Sequence, residues 1–216
     1  MSFRMASPAR LSARDRMHLY LFVSVLFVMG VIFGALMVNA LTLEQKRDLA
    51  GYMGNFLQAS LFGGEAAPRP SLAETFGLHF KWLALLWLLG ISVVGLPLVL
   101  ALDFLKGLLV GFTVGVLISQ YAWKGLALAF VSVVPHNMVI VPVIIASSAA
   151  SIAFSIMLVK RRFLQRPHGS AAPTFVSYTA FMIAMTAVVF AVSLFETYVT
   201  PRLIQWIAPI VLGGAQ

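Results

Sequence analysis

The sequence predicts an all-α polytopic membrane protein with about five transmembrane helices, one of them broken, and an amphipathic helix outside the membrane. Residues 82–102 and 107–121 contain no charged side chain, and His136 is the one ionisable residue of 125–159. Such stretches are interpreted as membrane spans because about 30 Å of hydrocarbon requires about 20 helical residues. The composition agrees, since 61% of residues are hydrophobic and 10% are charged, against about 25% charged residues in soluble domains.

Residues 1–16 are a basic tail, and residues 17–216 are predicted to form a single membrane domain whose first span is 17–38. The tail holds four arginines and one aspartate, which predicts a cytoplasmic N-terminus because basic segments stay on that side. The span exceeds the about 7–15 apolar residues of a signal peptide, so we expect it to be retained. Gly30 and Gly34 share one face of this helix, which predicts close contact with another helix.

The outer loop, residues 39–81, is predicted to contain an amphipathic helix over 42–62. Thr42-x-x-Gln45 is a capping-box pattern and predicts the start of the helix. Met53, Phe56 and Leu57 lie on its apolar side. We expect this helix to lie in the membrane interface or over the bundle. Its apolar side is a candidate docking surface for partner proteins, and a simple interfacial lid is the alternative.

The second span is predicted over about 82–102, in a helix that begins after the capping pattern Ser71-x-x-Glu74. Asp103 and Lys106 would then follow it at the cytoplasmic side. Pro97 is predicted to kink this span because proline lacks a backbone donor. Three small residues within this span are predicted packing positions, namely Gly90, Ser92 and Gly95.

The third span is predicted over 107–122, where glycines recur every four residues. Gly107, Gly111 and Gly115 lie on one helix face, a pattern that lets another helix pack closely. Gly125, just beyond this span, is a further predicted packing position.

The fourth span, 125–159, is too long for one ordinary helix and is predicted to break at Pro135-His136-Asn137. A short helix would precede the break, and a full span would run from about Met138. Asn137 can satisfy freed backbone groups at such a break. His136 is interpreted as a hydrogen-bonded capping histidine rather than a proton relay. Ser147, Ser151 and Ser155 recur every four residues and are interpreted as polar contacts between helices.

The fifth span is predicted over 175–196. It follows a basic loop, residues 160–166, which is predicted to be cytoplasmic. The segment after it would therefore lie outside the cell membrane, with an extracytoplasmic C-terminus. Glu196, Tyr198 and Pro201 in that segment are candidate docking residues.

Several classes of function are disfavoured by the composition. The chain has no cysteine, four histidines and seven acidic residues, so no thiolate chemistry is open to it and a metal site is poorly supplied. No cofactor is predicted. The net charge of +8 is explained by basic loops at an anionic leaflet rather than by nucleic acid. The chain lacks H-E-x-x-H and paired membrane carboxylates, so we predict that it is not an enzyme.

Five motifs stand in a fixed order along the chain. They are Trp87-x-x-Gly90-x-Ser92-x-x-Gly95-x-Pro97, Phe104-x-Lys106-Gly107-x-x-x-Gly111-Phe112, Lys124-Gly125, Pro135-x-Asn137 and Glu196-x-Tyr198-Val199-x-Pro201. Together with the number of spans, this order resembles the stage II sporulation protein M family over nearly the whole chain.

The resemblance implies a multi-pass protein of the cell membrane, located in the septal or forespore membrane where the organism sporulates. It implies a non-enzymatic scaffold that anchors two peptidoglycan hydrolases during engulfment, an amidase (stage II sporulation protein P) and a lytic transglycosylase (stage II sporulation protein D). A second copy of the chain, forming a homodimer, is a further candidate partner. The alternative from the residues themselves is a small-solute transporter or channel-like permease, because broken helices often mark substrate sites. Besides these proteins, membrane lipid is the expected partner.

Overall fold

The computed structural model describes residues 13–62, 71–92, 95–163 and 172–212. The predictions for the basic tail up to residue 12, for Arg166 in the basic loop and for residues 213–216 lie outside the described residues. The described helices, in chain order, are α1 (Ala13–Met37), α2 (Leu43–Phe62), α3 (Leu72–Ile91), α4 (Gly95–Ser132), α5 (Val134–Phe163), α6 (Ala172–Tyr198) and α7 (Thr200–Leu212), with a short 3-10 turn at Val38–Ala40.

Five of the described segments are long and apolar enough to cross a membrane, which confirms the predicted polytopic all-α class. They are Met17–Ala40, Leu72–Ile91, Gly95–Ser132, Val134–Lys160 and Ala172–Ile207. The share of buried residues in the most apolar stretch is 56% for the Val134–Lys160 span and 17–28% for the others. Helix α5 is therefore the central helix, and the others present more of their surface to lipid.

Both predicted capping boxes start a helix. At α2, the Thr42 amide donates to Gln45 Oε1 at 3.0 Å, and the Gln45 amide donates to Thr42 Oγ1 at 3.3 Å. At α3, Ser71 and Glu74 exchange the same pair of bonds at 2.9 and 3.2 Å. Each box satisfies two amide groups that an open helix end would leave without partners.

The turn between the second and third spans lies earlier than predicted. Helix α3 ends at Ile91, with Ser92 as its C-cap, and α4 begins at Gly95. Pro97 therefore occupies the first turn of α4, where its missing amide costs nothing, and does not kink a continuous 82–102 helix. A Cβ on Gly95 would overlap the carbonyl oxygen of Leu89, so glycine permits this tight reversal.

This shift moves Asp103 and Lys106 into the membrane-spanning part of α4, away from the cytoplasmic turn where the sequence placed them. Asp103 is buried and Lys106 is partly buried. The apolar stretch 82–102 is thus divided between α3 and α4, and the stretch 107–121 lies in α4. Asp103 and Lys106 are part of the same helix and not of a loop.

The chain bends again at Ala122, whose φ of 48° and ψ of −126° interrupt α4. A Cβ on Gly125 would overlap the Leu117 carbonyl oxygen, so the segment after the bend packs back on the one before it. The next interruption lies at Val133, and Pro135, His136 and Asn137 belong to the first turns of α5. The predicted break of the fourth span is thus found directly before Pro135.

Helices α2 and α7 form a layer at one end of the bundle, here called the α2–α7 layer. Leu57 of α2 is buried in a cluster with Ile204 and Ile207 of α7, against Leu117 and Leu128 of α4. Met53 packs against the same cluster. Since the chain itself covers Met53 and Leu57, these two predicted docking residues face inward, against α7 and α4. Phe56 remains 42% exposed.

Candidate functional site: ionisable groups inside the helix bundle

The frame of the site is the contact between α1 and α4, where the predicted glycine positions face each other. Each glycine lies against the backbone of the other helix, where a Cβ would overlap a carbonyl oxygen. On α1, Gly30 faces the Phe104 carbonyl and Gly34 the Leu108 carbonyl. On α4, Gly107 faces the Phe27 carbonyl and Gly111 the Val31 carbonyl. At Gly115 the contact is looser, with Val38 Cγ2 at 3.0 Å and Ala35 Cα at 3.1 Å. The two backbones therefore touch through residues without side chains, as close helix packing in membranes requires.

A row of serines joins α5 to α3 and α6. Ser151 Oγ donates to the Leu86 carbonyl oxygen at 2.9 Å and lies 2.9 Å from the Tyr178 hydroxyl. The Tyr178 hydroxyl also donates to the Trp87 carbonyl oxygen at 3.1 Å. A Cβ on Gly90 would overlap this hydroxyl. Gly90 thus makes room for the Tyr178 network.

Ser155 extends the same row to the end of α3. Its hydroxyl donates to the carbonyl oxygens of Gly90, at 3.0 Å, and of Ser92, at 2.8 Å. These carbonyls belong to the last turn of α3, where no further helical amide is available to them. Ser92, a predicted packing residue, therefore contacts α5 through its backbone carbonyl as the C-cap of α3.

Asp103 is the most deeply buried acidic group of the described residues, with 1% of its surface exposed. The Ser148 hydroxyl donates to Asp103 Oδ1 at 2.6 Å, and Asp103 Oδ2 has no hydrogen-bond partner. The hydroxyl of the adjacent Ser147, fully buried, also lacks one. Insertion scales place the cost of an aspartate at the centre of a membrane helix at about 2.5–3.5 kcal/mol. Such a residue in a membrane bundle is a functional candidate.

Lys106 lies about one turn from Asp103 on the same helix but does not neutralise it. Its ammonium stands 5.3 Å from the centre of the Trp82 ring, a cation–π contact between α4 and α3. Within the described parts of the chain, His79 and Glu196 form the ion pair with a nitrogen–oxygen distance below 4 Å, and no basic side chain lies that close to Asp103.

His79 and Glu196 connect α3 to α6 at the end of the bundle nearest the α2–α7 layer. His79 Nε2 lies 2.9 Å from Glu196 Oε2. Lys106 of α4 and His136 of α5 are also within electrostatic range of Glu196. Four helices therefore each bring one ionisable side chain to this end of the bundle. We call these four residues, with Asp103, the ionisable cluster.

Asn137 supports the cluster at the start of α5. Its side-chain amide donates to the Val133 carbonyl oxygen at 2.8 Å and to His136 Nε2 at 3.0 Å. The first bond gives the Val133 carbonyl, at the interruption between α4 and α5, a second donor beside the Asn137 backbone amide. The second holds the ring of His136 against the Asn137 side chain. Asn137 therefore bonds a backbone carbonyl at the interruption, as the sequence predicts, and His136 is hydrogen-bonded to Asn137 beside charged groups that the sequence did not place there.

A groove of ≈ 520 Å³ opens at the same end, between the start of α3 and the junction of α6 with α7. It is lined by Ser71, Leu72, Thr197, Tyr198, Pro201, Arg202 and Gln205. The predicted docking residues Tyr198 and Pro201 thus lie together on its wall. Glu196 does not line it and is bonded to His79 instead.

The family model for stage II sporulation protein M matches residues 23–201, which is most of the chain. The chain belongs to the stage II sporulation protein M family. This confirms the resemblance seen in the sequence. The matched segment runs from within α1 to the start of α7 and includes the whole ionisable cluster. No curated protein and no solved structure gives a match to the chain.

In this member of the stage II sporulation protein M family, sequence reasoning missed three residues of the cluster: His79, Asp103 and Lys106. Pro97 carried a usable signal, because proline is favoured in the first turn of a helix. A helix started there would have placed Asp103 and Lys106 inside a span. His79 gave no such signal, since its partner Glu196 is 117 positions away. Among the described residues, no three histidine or acidic side chains converge as metal ligands.

Proposed function

We propose that this protein is a non-enzymatic membrane scaffold that anchors peptidoglycan hydrolases outside the cell membrane during engulfment. As the family resemblance implies, the partners would be the amidase and the lytic transglycosylase known as stage II sporulation proteins P and D. The chain would be a multi-pass protein with a cytoplasmic N-terminus and an extracytoplasmic C-terminus. Where the organism sporulates, it would lie in the septal or forespore membrane.

The groove beside Tyr198 is the observation that supports this proposal most directly. With five spans and the proposed cytoplasmic N-terminus, the α2–α7 layer and the groove would lie outside the membrane. The wall offers a 60% exposed tyrosine, an exposed arginine and the Gln205 side chain. This combination suits an extended peptide segment with an acidic residue opposite Arg202, because tyrosine and arginine dominate protein interfaces.

Close packing of the bundle supports a platform rather than a conduit. Backbone contacts at the four facing glycines hold α1 on α4, and serine hydroxyls tie α5 to α3. A second groove, of ≈ 190 Å³, is lined mainly by apolar side chains such as Leu19, Ala149 and Phe181. Neither groove is lined by His136 or Asn137, so neither gives solutes a way to the broken helix.

Copurification from native membranes tests the scaffold. The tagged wild-type protein should recover peptidoglycan hydrolases, and Tyr198→Ala with Arg202→Glu should reduce that recovery several-fold. Trp206→Ala is the matched control, because Trp206 lies on α7, is 72% exposed and does not line the groove. If the wild-type protein recovers no hydrolase, the scaffold is refuted. If the groove variants recover as much as Trp206→Ala, the docking site lies elsewhere.

A small-solute permease is the second candidate, and the ionisable cluster favours it. Ionisable residues within membrane helices commonly mark paths of protons or substrates. The purified protein alone in liposomes would then move a solute, and Asp103→Asn would abolish the movement. Hydrolase recovery without such movement supports the scaffold, and the opposite pair of results supports the permease.

A further inference from the structure

The carboxyl group of Asp103 is sealed from solvent and lacks a cation. It is 1% exposed, Ser148 supplies one hydrogen bond, and its second oxygen has no partner. Helix α1, which packs along α4, contributes apolar residues between Leu21 and Val38 apart from Ser24. The other described ionisable side chains of the helices in this bundle are His18 and Tyr20 on α1, Glu74, His79 and Lys81 on α3, Lys106, Tyr121 and Lys124 on α4, His136 and Lys160 on α5, Tyr178, Glu196 and Tyr198 on α6, and Arg202 on α7.

None of the cationic groups among these lies within 4 Å of Asp103 in the described structure. A carboxylate held in apolar surroundings by a single hydroxyl is strongly disfavoured, and such a group neutralises itself by binding a positive ion. The site offers too few oxygen ligands for a metal cation. Asp103, Ser147 and Ser148 offer at most four side-chain oxygens, whereas hard cations take about six or more oxygen ligands. A proton needs one.

The ionisable cluster gives such a proton a direction of approach. Lys106 lies three residues from Asp103, on the same side of α4. His79 Nε2 lies 2.9 Å from Glu196 Oε2, and Lys106 and His136 are within electrostatic range of Glu196 at the α2–α7 end. Between Ser148 and the exposed Lys160 at the opposite end of α5, the polar side chains of this helix are the hydroxyls of Ser151 and Ser155, and the Tyr178 hydroxyl of α6 lies beside Ser151. These hydroxyls do not ionise near neutral pH.

We propose that Asp103 is an exchangeable proton-binding site, loaded from the α2–α7 end of the bundle through Lys106, Glu196 and the two histidines. The proton bonds to a carboxylate oxygen of Asp103 and gives a neutral carboxylic acid. On release it passes back to the groups of the ionisable cluster, and no electron is transferred. This site is independent of hydrolase anchoring, so it stands or falls separately from the scaffold.

Infrared spectroscopy of the full-length protein in lipid nanodiscs tests the bound proton. At neutral pH the wild-type protein should show the carbonyl band of a protonated carboxylic acid, and Asp103→Asn should remove it. Asp48→Asn is the matched control, because Asp48 is exposed on α2. Absence of the band in the wild-type protein, or its persistence in Asp103→Asn, would overturn the proposal. Loss of the band when sodium replaces choline in the buffer would show a sodium site and overturn it as well.

Two further measurements keep the proposal testable. If Asp103→Asn does not fold, Ser148→Ala retains the carboxyl group and should shift the band, because the bond to Oδ1 is lost. An unshifted band would contradict the assignment. Transfer to D₂O should convert the acid to its deuterated form, and Glu196→Gln should slow this conversion at least several-fold. An unchanged rate would refute the loading route.

Discussion

Gly111 of α4 lies directly on the backbone of Val31 of α1, so that a Cβ at this position would overlap the Val31 carbonyl oxygen. Gly107 has the same relation to Phe27 one turn earlier. Because backbone carbonyls cannot rotate away as side chains can, this interface tolerates no methyl group at these two positions. The spacing of the two helices is therefore set by glycine.

Gly111→Leu should force α1 away from α4 and destabilise the protein by up to several kcal/mol, in line with overpacked cores. Thermal unfolding in detergent and the yield of folded protein measure this effect. Gly77→Leu is the matched control, because nothing lies within 4 Å of a Cβ at Gly77. Equal stability of the two variants would show that the α1–α4 contact is not tight.

Gly90 and Tyr178 should show compensation. Gly90→Ala places a methyl group on the Tyr178 hydroxyl and should destabilise the protein. Tyr178→Phe removes that hydroxyl and its bonds, at a cost of about 0.5–1.5 kcal/mol. The double variant should lose less stability than the sum of the losses in the two single variants, because the methyl group no longer meets the hydroxyl. The compensation is incomplete, because the methyl group would still lie 3.0 Å from Ser151 Cα. Thermal unfolding of the three variants measures the coupling, and strict additivity would argue against the contact.

Local patterns in the sequence predicted the number of spans and both capping boxes, because apolar length and capping motifs act within a few residues. The end of α3 at Ile91 and the start of α4 at Gly95 were missed because Pro97 fits both a kink and a first helical turn. The bend at Ala122 had no sequence signal, since alanine rarely adopts a positive φ. Contacts between distant segments, such as His79 with Glu196 and Leu57 with α7, could not be predicted because they depend on how the helices pack.

Glu196 should stabilise the protein both as a hydrogen-bond acceptor and as a negative charge. Glu196→Leu leaves His79 without its partner and Lys106 without a nearby negative charge. A cost of about 1–3 kcal/mol is typical for such a loss, and the low end is expected because the Glu196 side chain is 25% exposed. Glu196→Gln keeps an acceptor and should cost less. Thermal unfolding ranks the two variants, and the reverse order would contradict this pairing.

Leu57 should hold α7 in place. Leu57→Ala removes a side chain that is 1% exposed and packed against Ile204 and Ile207. This substitution at a buried leucine typically lowers the free energy of unfolding by about 2–5 kcal/mol. Amide hydrogen exchange should therefore quicken in α7 while α5 is unchanged. Tyr52→Ala, at a position 76% exposed on the same helix, should have no such effect. If α7 exchanges at the wild-type rate in Leu57→Ala, the α2–α7 layer is not held by this cluster.

Cysteine labelling can decide where the chain turns between the second and third spans, because the native sequence has no cysteine. Leu105 is 43% exposed, and its position well inside α4 places that exposed surface against lipid. A membrane-impermeant maleimide should therefore fail to label Leu105→Cys from either side of intact membranes, yet label it after denaturation. Tyr52→Cys, on α2, should be labelled without denaturation. Rapid labelling of Leu105→Cys from the cytoplasmic side would instead place residues 103–106 in a loop, and Asp103 would then be a solvated surface residue rather than a buried one.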